Sequence, residues 1–73
     1  MTSARDHQMQ DLMTFAKRGA IFGWSRAQIV DAACEMETFR DMPNVRAALD
    51  AFLPSGEEFD HWRTQLQAEH HGL

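Results

Sequence analysis

Between Lys17 and Arg26 the chain reads Lys-Arg-Gly-Ala-Ile-Phe-Gly-Trp-Ser-Arg, an apolar run set among two glycines and flanked by basic residues. Helical periodicity precedes it and helical periodicity follows it, so the run must be a turn. Turns cross the surface and ordinarily carry Asn, Asp or Ser. A turn built from Ile21, Phe22 and Trp24 either plugs the core or is offered to a partner; Ile21 and Phe22 read as core, and for Trp24 both readings stay open.

The spacing predicts a first helix over residues 3–18, with Ser3 as cap and Asp6 three residues on. Met9, Leu12, Met13 and Ala16 follow the i, i+3, i+4, i+7 rule, with Phe15 at the edge of the stripe. Gly19 reads as a left-handed C-cap after Lys17 and Arg18, whose charges suit a helix C-terminus. A second helix is predicted over 25–40, where Ser25 and Gln28 form a capping box. Its stripe is Ile29, Ala32, Ala33, Met36 and Phe39, with Asp31, Glu35 and Thr38 opposite.

Pro43 forces a break or a first-turn position. A third helix over 43–53 carries Val45, Ala48, Leu49 and Phe52, and Leu53-Pro54 ends it. Ser55-Gly56-Glu57-Glu58 opens a fourth over 55–71, with Ser55 capping and Glu58 as its reciprocal partner. Phe59, Trp62, Leu66, His70 and Leu73 share one side of it. The expected fold is all-α: one domain over 1–73, a small bundle of about four short helices.

A chain of 73 residues sits near the size that buries only about 60% of its unfolded surface. Such domains often lean on a second copy or a partner, so homodimerisation or partner binding is expected to complete the bundle. Five methionines suit irregular packing at such a surface. Cys34 is the lone cysteine, which excludes an intrachain disulfide and fits a reducing compartment. The opening residues lack a signal-peptide core, and no apolar run is long enough to cross a bilayer. The expected location is cytoplasmic.

Residues 1–30 hold four basic side chains against two acidic ones, +2, and residues 31–73 hold three against nine, −6. The net charge of −4 argues against general affinity for nucleic acid. It also permits antiparallel self-association of unlike halves, with the acidic Asp31, Glu35, Glu57 and Asp60 as a second candidate surface.

Motifs for chemistry are sparse. Glu58-x-x-His61 has the spacing of a di-iron bundle element, but the chain holds no second copy of it. His70-His71 beside Glu69 reads as a polar chain end. Cys34 lies mid-helix, far from any helix N-terminus that would activate it, and reads as a small hydrophobe. Phosphate loops, nucleophile elbows and metalloprotease motifs are missing. No catalytic residue, metal site or cofactor is expected, and the chain does not read as an enzyme.

Interface hot spots are enriched in Trp, Tyr and Arg. Phe15, Arg18, Phe22, Trp24 and Arg26 gather that chemistry at the apolar turn, and they are the expected protein-binding residues. The chain therefore reads as a small regulatory protein that binds another protein and inhibits it. Two alternatives stand beside this. Ser25, Arg26 and Gln28 could begin a DNA recognition helix, although Asp31 and Glu35 would repel phosphate and the turn is longer than usual. The chain could also be a structural subunit of a larger assembly. In size and acidity it is similar to small all-helical anti-activators and phage-encoded host inhibitors, a likeness of class that no motif carries.

Overall fold

The computed structural model describes residues 4–71, and among them every regular element is helical. Helix α1 spans Ala4–Ile21, α2 Arg26–Glu35, α3 Val45–Phe52 and α4 Glu57–His71, with a single 3-10 turn at Glu37–Phe39. Helix α1 packs on α4 and α2, α2 also packs on α3, and a smaller contact joins α1 to α3. The expected Ser3 cap lies outside the described residues.

The core forms where the four stripes converge. Leu12, Ala16 and Ala20 of α1, Ile29, Val30 and Ala33 of α2, Leu49 of α3 and Phe59 of α4 are buried. Phe39, Met42 and Leu53 join them from the connecting segments. Full burial of a side chain such as Leu12, Ile29 or Leu49 contributes about 1.5–3 kcal/mol. Phe15, Trp24, Met36, Phe52, Trp62 and Leu66 pack around this core while staying partly exposed.

Four sequence expectations need correction. Gly19 does not end α1; the helix continues to Ile21, and the left-handed residue is Gly23 at φ +91°. The cause is tertiary, because Gly19 faces Ile29 and Trp24 so closely that only a residue without Cβ fits. Helix α2 ends at Glu35 rather than residue 40, with Met36 in extended backbone and its N–H on the Ala33 carbonyl. That break lets Phe39 return to the core from the 3-10 turn, where its ring meets Phe15 at 6.1 Å.

Helix α3 starts at Val45 instead of Pro43, after Asn44 at φ 54°, ψ 50°. Asparagine visits this left-handed region more readily than most residues. Helix α4 starts at Glu57, and its capping box does not form. Gly56, at φ +60°, opens the helix, and its carbonyl accepts from the N–H groups of Phe59 and Asp60. The acidic first turn of Glu57, Glu58 and Asp60 is present, suited to the positive end of the helix dipole.

Candidate protein-binding surface

The apolar turn is a Schellman motif with Gly23 as its left-handed residue. The N–H of Trp24 donates to the Gly19 carbonyl and the N–H of Gly23 to the Ala20 carbonyl, each at 3.0 Å. Phe22 N–H donates to the Arg18 carbonyl, also at 3.0 Å. The amide of Gln67, on α4, donates to the carbonyls of Ile21 at 3.2 Å and Ala20 at 3.4 Å. All four terminal carbonyls of α1 thus have partners, so the turn is held along its length. On its far side the Ser25–Gln28 capping box forms as expected: Gln28 N–H donates to Ser25 Oγ at 3.1 Å, and Ser25 N–H to Gln28 Oε1 at 2.8 Å.

This clamp decides where each expected binding residue points. Phe22 is 77% exposed, so it does not plug the core. It shares a depression with Arg18, Ile21 and His70, formed where the C-terminal ends of α1 and α4 meet. Ile21 is half-buried and Arg18 exposed. Trp24 lines a different depression. Its ring lies edge-on to Phe15 at 5.9 Å and against Gly19, and its carbonyl accepts from Arg63 at 3.3 Å. One side of the indole opens onto a groove along α2 with Gln28, Asp31, Ala32 and Glu35. Phe15, between Trp24 and Phe39, lines another depression with Asp11, Thr14, Arg18 and Met36.

Arg26 is placed differently from the other four. Its guanidinium reaches across to the end of α3, where Nε donates to the Pro54 carbonyl at 2.9 Å. Its terminal nitrogens donate to the Asp50 carboxylate at 3.1 Å and to the carbonyls of Asp50 and Leu53 at 3.3 and 3.4 Å. A cation at a helix C-terminus meets the negative end of the dipole. Arg26 therefore ties α2 to α3 and is largely spent on that contact. The DNA-reading trio fares likewise, since Ser25 and Gln28 cap one another and Arg26 is engaged on α3.

Electrostatics sharpen the division of the surface. Among the described residues the ion pairs are Arg26–Asp50, Arg46–Asp31 and Arg63–Asp60. Two members of the expected acidic face, Asp31 and Asp60, thus already hold internal partners. Among the described residues Lys17 and Arg18 form no ion pair, and both sit in the last turns of α1 near Phe22. Glu58 and His61 are exposed, and among the described residues no three His, Cys, Asp or Glu side chains gather as a metal site. No helix is long and apolar enough to cross a membrane among those residues. Cys34 is exposed on α2, which corrects the reading of it as a packed hydrophobe.

Arg63 and Gln67 escaped the sequence reading, although both help build the site. Their only signal is position: they lie four residues apart on α4, next to the apolar stripe of Phe59, Trp62 and Leu66. Polar side chains on that flank reach a neighbour's helix end, but sequence spacing does not say which one. No family model matches this chain, and no curated protein or solved structure matches it either.

Proposed function

We propose that this chain is a small non-enzymatic regulatory protein of the cytoplasm that binds another protein through the Phe22 surface and inhibits it. The observation that carries the reading is a single one. Phe22, the most exposed large apolar side chain described, stands on a turn whose backbone is fixed on both sides. A fixed backbone under an exposed aromatic lowers the entropy cost of ordering the turn on binding, which favours it as an interface anchor. Arg18 and Lys17 beside it add positive charge, which suits a partner surface of apolar and acidic character.

The test places a photo-crosslinking phenylalanine analogue at position 22 in cells and the same analogue at exposed Thr64 on α4 as control. A discrete adduct with a protein other than this chain, formed from position 22, absent from position 64 and competed by unlabelled wild-type chain but not by Phe22→Ser, supports the reading; an adduct with the chain itself does not. Identical adducts from both positions, or none from either, overturn it.

A further inference from the structure

We propose that the Phe22 ring of one copy seats in the Trp24 groove of a second copy, and the reverse, making a two-fold dimer rimmed by Arg18 against Glu35. The two halves of the fit lie on one chain. The projecting half is exposed Phe22 with Arg18 beside it. The receiving half is the α2 groove, lined by the apolar Trp24 and Ala32 and by Gln28, Asp31 and Glu35. The groove is shallow and open to solvent, so a ring can lie across it. The small side chain of Ala32 keeps the groove open, and Phe15 and Gly19 hold the indole in place from behind.

Charge selects a second copy as the occupant. Arg18 has no acidic partner within its own chain, and Glu35 has no basic one, among the described residues. Asp31 is already engaged by Arg46 at 3.3 Å, which leaves Glu35 as the free carboxylate of the rim. Two α2 faces stacked on each other would instead bring like charges together, so the contact is projection into groove. In a two-fold contact projection and groove belong to one self-complementary patch, and each contact is made twice around one axis. Phe22 and Trp24 flank Gly23 in the chain, and each lines its own depression at this end of the bundle. The aromatic pair so formed belongs to a class that favours edge-on or offset packing. The inference stands independently of the proposed heterologous partner, but it shares Phe22 with it, so such a partner would have to displace the second copy.

The experiment uses purified full chain alone, measured by light scattering and analytical ultracentrifugation over a micromolar concentration series. Wild type is expected at twice its 8.4 kDa chain mass. Arg18→Glu and Glu35→Arg, each checked for retained helicity by circular dichroism, are each expected to weaken the dimer by about tenfold or more, because like charges then face each other at both rims. Mixing the two variants restores dimerisation. The carboxylate introduced at position 18 then meets the guanidinium introduced at position 35, and the native pair of Arg18 and Glu35 re-forms at the other rim. Phe22→Ser weakens the dimer without unfolding the chain. A monomeric wild type at high micromolar concentration overturns the proposal, and so does a dimer indifferent to all three substitutions. Failure of the variants to rescue each other also overturns it. None of these results bears on crosslinking to a different protein, so the two readings fail separately.

Discussion

Trp24 lies across Gly19 so closely that a Cβ built on the glycine would stand 2.9 Å from Trp24 Cε3, and also 2.9 Å from Ile29 Cγ1. Gly19→Ala sets two effects against each other. Alanine gains about 1 kcal/mol in helix propensity. The clash costs about 1–3 kcal/mol, with fully buried Ile29 and a wedged indole unable to yield freely. The expected net result is destabilisation of up to about 2 kcal/mol, read as a lower urea midpoint at unchanged slope. A more stable Gly19→Ala would show that the close approach is soft.

Gly23→Ala should also destabilise, for a different reason. No atom lies within 4 Å of its would-be Cβ, so the whole penalty is the left-handed backbone at φ +91°. A loss of about 1–2 kcal/mol is expected by thermal unfolding. Truncating Trp24 to Leu in each background separates the two cases. It relieves the indole half of the Gly19→Ala clash, with the Ile29 half still in place, and leaves the Gly23→Ala strain untouched.

Arg26→Ala removes the guanidinium from Pro54, Leu53 and Asp50, and should cost about 1–3 kcal/mol. Arg26→Lys should recover little, because an ammonium cannot span the same fork of acceptors. Asp50→Asn removes only the exposed ion pair and should cost less than about 1 kcal/mol. Urea unfolding of the three variants tests that order. Equal losses for Arg26→Ala and Asp50→Asn would mean that the backbone acceptors contribute nothing.

Gln67 donates to the last two carbonyls of α1. Gln67→Ala should cost about 1 kcal/mol. Gln67→Glu should cost more at neutral pH, since a carboxylate cannot donate and sets negative charge against the negative helix end. Hydrogen exchange should show faster opening at Phe22 to Trp24 in both variants. Protection unchanged in Gln67→Glu would refute the cap.

Phe22→Ser should leave stability within about 0.5 kcal/mol of wild type, because the ring stands in solvent. Thermal unfolding checks this at a concentration low enough to keep the chain monomeric. A large loss would return Phe22 to the core.

Local decisions are written in the amino-acid sequence. Ser25 and Gln28 announce the start of α2, because a capping box closes within one turn of chain and needs nothing else. The positions of Leu12, Ala16, Ile29, Ala33, Leu49 and Phe59 were legible from apolar spacing, since a helix must bury its stripe somewhere. Val30, Met42 and Leu53 were not, because their burial depends on where α2 and α3 stop and turn.

Packing between helices settled the rest. Gly19 and Gly23 carry the same local signal, and the approach of Trp24 and Ile29 to Gly19 settled which one ends α1. That choice shifts the turn by one helical turn and sends Phe22 outward and Trp24 inward. It also separates Arg26, tied to α3 across 28 residues of chain, from Arg18, left facing solvent. Caps and periodicity act within a few residues. Which side chain is consumed inside the fold and which is left on its surface depends on contacts between distant segments, and those exist only once the helices have packed.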